Sequence, residues 1–132
     1  MREYIRHHAG VPVYITHDNS EYCFHLLNVS LGGLACKGKD TFAVDAQVSL
    51  RIPYLQPEYK AIGRIAWCKK ANDLYEIGIE HTGEKDKARL IMVEQISHIE
   101  HYRNEVMLSE GRDLSGEEAA KEWNSIHGST YY

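Results

Sequence analysis

From Val11 to His81 the chain alternates apolar and polar residues in short runs, each closed by turn formers, and nothing else in it constrains the fold as much. Val11, Val13 and Ile15 alternate with Pro12, Tyr14 and Thr16, and His17-Asp18-Asn19-Ser20 follows as a turn cluster. Tyr22 to Val29 resumes as a strand with Tyr22, Phe24 and Leu26 on one side. Gly33 to Cys36 is a short strand after a glycine pair, and Gln47 to Ile52 turns Val48, Leu50 and Ile52 inward. Pro53 and Pro57 then interrupt pairing, because proline has no N–H to give the ladder. Tyr59 to Cys68 is the longest strand, and an Asn72-Asp73 turn joins it to the next. In that last strand Tyr75, Ile77 and Ile79 alternate with Glu76, Gly78 and Glu80, which leaves one face solvated. About six short strands at regular spacing predict a mainly β fold, a small antiparallel barrel or sandwich.

After His81 the period lengthens. Between Asp86 and Leu108 the residues Ala88, Met92, Ile96, Ile99, Tyr102 and Val106 recur at steps of three and four. This is an amphipathic helix, and the simplest thing for its apolar face to cover is the barrel mouth. Gly111 is its stop signal. Ser115-Gly116-Glu117-Glu118 reads as a capping box, opening a shorter helix with Ala119, Trp123 and Ile126 on one face. So short a helix is marginal alone in water, so it must dock on its own barrel and long helix or on another protein. The expected organisation is a barrel domain with its helix over residues 1–108 and a helical extension over 109–132.

Several function classes drop out. With 15 basic against 19 acidic residues the formal net charge is −4, which gives no field for long nucleic acid. No apolar run approaches the roughly 18 residues of a membrane span, and no signal-peptide pattern opens the chain, so a soluble cytoplasmic protein is expected. Cys23, Cys36 and Cys68 are odd in number with no C-x-x-C spacing, and are expected as small buried residues rather than disulfides or zinc ligands. His98 and His101 stand three apart and His7-His8 lie near the start, but no third ligand can be placed, so no metal is expected. The chain has no H-E-x-x-H, G-x-S-x-G or P-loop, and Ser30 has no identifiable base. Glu76 and Glu80 read as solvated, and Trp67, in an apolar strand, is expected in the core. These residues point to a binding module rather than an enzyme.

Two motifs carry what binding chemistry there is. Arg2-Glu3-Tyr4-Ile5-Arg6 sets two arginines four apart. Guanidinium groups pair bidentately with phosphate, stack on aromatic planes, and fork onto the O6/N7 edge of guanine. Asn28-Val29-Ser30-Leu31-Gly32-Gly33 is a polar turn between apolar runs. Its Asn and Ser can cap backbone or bond a ligand, and its glycines allow positive φ and close approach of a ligand. Together they suit a small, doubly anionic ligand with planar bases.

The order R-x-x-x-R then N-x-S-x-x-G resembles the PilZ domain, the bacterial receptor module for cyclic di-GMP, in pattern over roughly residues 2–81. Pro12-Val13, Gly63-Arg64-Ile65-Ala66-Trp67 and Tyr75-Glu76-Ile77-Gly78-Ile79 are further family-like features. The resemblance implies a six-stranded antiparallel β-barrel with a C-terminal helix, to which this chain adds a short helical tail. It implies that Arg2 and Arg6 hold phosphates and guanines, and that Asn28, Ser30, Gly32 and Gly33 form the turn that contacts a guanine. It implies a non-enzymatic receptor with no cofactor beyond the ligand cyclic di-GMP. Ordering of the N-terminal arm would be the output, read by a downstream protein or by self-association. The rival is a PilZ-like adaptor that binds protein and not nucleotide. Only Met1 precedes Arg2, where the family usually has a longer lead, so a free-standing module is expected and one nucleotide or a stacked pair stays open.

Overall fold

The computed structural model describes residues 10–83 and 87–127. Six antiparallel strands form a closed barrel: β1 (Pro12–His17), β2 (Ser20–Val29), β3 (Gly33–Gly38), β4 (Gln47–Ile52), β5 (Tyr59–Ala71) and β6 (Leu74–His81). Their order around the barrel is β1-β2-β3-β6-β5-β4. The β1–β4 seam closes it through Tyr14↔Arg51, Ile15↔Leu50 and Thr16↔Ser49, so no strand edge is left open. Asp18 and Asn19, with φ of 51° and 66°, make the two-residue β1–β2 turn, which needs residues that tolerate the left-handed region.

Period two puts Val13, Ile15, Phe24, Leu26, Val48, Leu50, Ile52, Ile65, Ile77 and Ile79 inside, all buried. Each such side chain contributes ~1.5–3 kcal/mol on an area basis. One barrel end is stopped by Phe42, from the β3–β4 connection, packed edge-on to His17 and Tyr22 and tilted against Phe24. The other end is closed by helix α1 (Lys87–Glu110), which buries Met92, Gln95, Ile96, Ile99 and Val106. The buried Gln95 ties α1 to the β4–β5 connection, accepting from Gln56 N–H at 3.1 Å and donating to Gln56 O at 2.6 Å.

Gly111, at φ 68°, ends α1 with its N–H on Met107 O at 3.0 Å. The capping box is formed: Glu118 N–H donates to Ser115 Oγ at 3.1 Å, and Ser115 N–H to Glu118 Oε1 at 2.9 Å. It opens α2 (Gly116–His127), which docks on its own chain. Trp123 stacks on His98 of α1 at 5.7 Å and 8°. Tyr102 and Tyr54 donate to Glu122 and Glu117 at 2.7 and 3.0 Å.

Four expectations are corrected. Ala88 is exposed and Arg89 is buried in its place, because the buried stripe of α1 begins one residue later. Ile126 is 59% exposed, since the buried residues of α2 are Gly116, Ala119, Ala120 and Trp123, and Ile126 lies beyond the last of them. Of the cysteines only Cys36 is buried; Cys23 falls on the outer phase of β2 and is exposed, and Cys68 is half-buried. Burial pushes the Cys36 thiol well above its ordinary value. Trp67 is not in the core, for a reason that belongs to the site.

Candidate functional site

A groove of about 430 Å³ runs over the outer face of β2, β3, β6 and β5. Asn28, Ser30, Gly32, Gly33, Ala35, Arg64, Trp67, Gly78 and Glu80 all line it. Register explains the assembly. Asn28 pairs with Ala35, Ala35 with Gly78, and Gly78 with Trp67, so these four make one row across four strands. Ala35 and Gly78 underlie that row, and the Asn28 amide and the Trp67 indole are its walls, the indole lying over Gly78. The next row is Gly33–Glu80–Arg64.

Two β-bulges create the walls. In β2 the register shifts between Leu26 and Asn28, and in β5 between Ile65 and Trp67. Unbroken alternation would turn Asn28 inward behind Phe24 and Leu26, and Trp67 inward behind Gly63 and Ile65. The extra residues Leu27 and Ala66 reset the phase, so Asn28 and Trp67 both point outward. This is why Trp67 is 41% exposed rather than core. It is also why Gly78, expected on a solvated face, is buried: the Trp67 ring covers it.

The turn between β2 and β3 is held by its own serine. Ser30 Oγ donates to Gly33 O at 3.4 Å and accepts from Gly32 N–H at 3.3 Å, while Ser30 N–H donates to Gly33 O at 2.8 Å. The two glycines act differently, and neither uses a positive φ as expected. A Cβ on Gly33 would lie 2.1 Å from Ile79 O, so glycine there lets β3 approach β6. A Cβ on Gly32 would meet only Ser30 Oγ, at 3.9 Å, so its bareness keeps the groove open.

Sequence reasoning missed three supports. Arg89 of α1, buried, donates to Leu31 O at 3.2 Å and to Gly83 O at 2.9 Å, anchoring the motif turn to the helix. Arg64 donates to both Asp45 and Glu80. Those bonds, Glu80 first, hold the Arg64 guanidinium above its ordinary value. Third, the chain enters the barrel beside the groove: Leu26 N–H donates to Val11 O at 2.9 Å, and a Cβ on Gly10 would fall 1.9 Å from Leu26 O. The family-like Gly63-Arg64-Ile65-Ala66-Trp67 run was the one signal that could have singled out Arg64 and Trp67. Arg89 left no sequence signal, because a bond to a backbone carbonyl, as at Leu31 and Gly83, needs no particular residue type at the partner position.

Arg2 and Arg6 lie outside the described residues. Arg64 and Glu80 are the charged side chains among the described lining, and Arg64 is shared between Glu80 and Asp45, so that part of the groove has no surplus positive charge. No group of three or more metal-ligating side chains occurs among the described residues. No described helix is long and apolar enough to cross a membrane.

A family model for the PilZ domain matches residues 1–96, all six strands and the first part of α1. No curated protein matches the chain.

Proposed function

The chain belongs to the PilZ domain family, generally receptors for cyclic di-GMP, and from that premise we propose that it binds cyclic di-GMP in the groove of Asn28, Ser30, Gly32 and Gly33. The observation that carries this reading is the single outward row Asn28–Ala35–Gly78–Trp67 beside the motif turn. The exposed indole, lying over Gly78 at one end of the row, offers a flat face to a planar base, and aromatic stacking rewards it. Asn28 and Ser30 offer polar atoms at the other side.

The two phosphates need cations that the described groove does not supply, since its Arg64 is already shared by two carboxylates. Arg2 and Arg6 are suited to it, since each can make charge-assisted bonds. Gly10 abuts Leu26, two residues from Asn28 on β2. Four residues reach at most ~14 Å, so Arg6 is within range of the groove from Gly10. In this reading the ligand fixes the arm over the groove, and the fixed arm is the signal read by a protein partner or a second copy. The protein then acts in the cytoplasm as a binding module without catalysis.

Calorimetric titration with cyclic di-GMP tests it. The wild type should bind, and Arg6→Ala should bind about ten- to a hundredfold more weakly, with Arg2→Ala equal or milder. Wild-type protein that takes up no nucleotide would favour the adaptor reading. Undiminished binding by Arg6→Ala would remove the arginines from the site.

A further inference from the structure

We propose that Glu80 makes this groove select guanine, by accepting hydrogen bonds from the Watson–Crick edge of the base. The inference rests on the cyclic di-GMP reading above and adds a specificity determinant that lies in neither signature motif.

Glu80 is the one carboxylate among the described residues lining the groove. It stands on the outer face of β6, across from Gly33 on one side and Arg64 on the other. Its side chain is 53% exposed, so a base can reach it. Its Oε1 accepts from Arg64 Nη2, and Arg64 Nη1 is held in turn by Asp45. Arg64 thus fixes the carboxylate in place and offsets part of its charge, its guanidinium being shared with Asp45. Oε2 has no hydrogen bond among the described residues.

The chemistry selects one base. Guanine presents two adjacent donors, N1–H and the 2-amino group, on its Watson–Crick edge. An ionised carboxylate has acceptors only, and can take both. Adenine puts an acceptor at N1, which would face the carboxylate lone pairs unpaired, and a site built for donors rejects such an analogue strongly. The opposite edge of guanine, O6 and N7, has two acceptors and suits an arginine fork. Arginine and glutamate would therefore read two edges of the same base. Glu80 and Gly78 are two residues apart on one face, roughly 7 Å, and the Trp67 ring lies over Gly78, so a purine stacked against that ring has an edge near the carboxylate.

Wild type, Glu80→Gln and Glu80→Ala are titrated with cyclic di-GMP, cyclic di-AMP and cyclic di-IMP, whose base keeps N1–H but lacks the 2-amino group. Circular dichroism confirms that each variant is folded; the isosteric Glu80→Gln can still accept from Arg64 and carries the test if Glu80→Ala does not fold. The wild type should prefer cyclic di-GMP to cyclic di-IMP by about tenfold or more, and reject cyclic di-AMP further. Both variants should lose about ten- to a hundredfold for cyclic di-GMP, and their preference over cyclic di-IMP should collapse towards unity. Parallel weakening of all three ligands, or an unchanged preference, would overturn the assignment and reduce Glu80 to a support for Arg64. A wild type that binds no cyclic dinucleotide would overturn the function itself, and that result appears before any variant is made.

Discussion

The indole of Trp67 occupies the space that a side chain at Gly78 would need: a Cβ there would lie 2.2 Å from Nε1 and 2.4 Å from Cε2 of the ring. The two residues are register partners on β5 and β6, and the glycine is what lets the ring settle over the strand. Gly78→Ala should therefore push the ring outward. Because the ring is already 41% exposed and can move, the stability cost should be at the low end of overpacking, ~1 kcal/mol. Cyclic di-GMP affinity should fall more than stability does. Thermal melts and titrations on the same samples check this, and equal affinity would remove Trp67 from the binding surface.

The paired glycines should separate binding from folding. Gly32→Val places its side chain in open groove space, so the melting temperature should hold while nucleotide affinity drops at least tenfold. Gly33→Ala drives a methyl towards Ile79 O, backbone that cannot swing aside, and should cost ~1–3 kcal/mol in stability. Denaturant titration of both variants beside binding curves would show the contrast. A Gly33→Ala protein as stable as wild type would mean that β3 and β6 can part without penalty.

Arg89→Met keeps most of the side-chain volume but removes the donors to Leu31 O and Gly83 O. Stability should fall by ~1.5–3 kcal/mol. Hydrogen exchange should rise at the Ser30 and Gly32 amides, which stay ordered only while the turn is anchored. Unchanged exchange there would show that the Ser30 bonds hold the turn without α1.

His25 sets a pH dependence. Burial lowers its pKa, with Glu117 pulling weakly the other way. The native state thus prefers the neutral ring, and the unfolded state binds a proton first as pH falls. Stability from this residue is present above the unfolded value of roughly 6.5 and declines as pH drops below it towards the folded pKa. His25→Gln should flatten the slope of melting temperature against pH between about 7 and 5. An identical slope would assign the acid sensitivity elsewhere.

The local grammar of the chain was legible in the sequence. Alternation fixed six strands and most of their inward residues, and the Asp18-Asn19 turn, the Gly111 stop and the Ser115/Glu118 box each act within four residues. These depend on backbone geometry and neighbours, so no partner strand is needed to read them. What the tertiary structure alone decided is phase. A bulge is an extra residue measured against a partner, so nothing in β5 alone says that Trp67 leaves the phase of Gly63 and Ile65, and nothing in β2 alone turns Asn28 outward. The buried stripe of α1 is fixed in the same way: the barrel end beneath it offers the carbonyls of Leu31 and Gly83, so Arg89 is buried where Ala88 would otherwise be expected. The groove exists because two resets of phase, on strands separated by β3 and β6, fall in one register row, and register belongs to the closed barrel rather than to any strand in it.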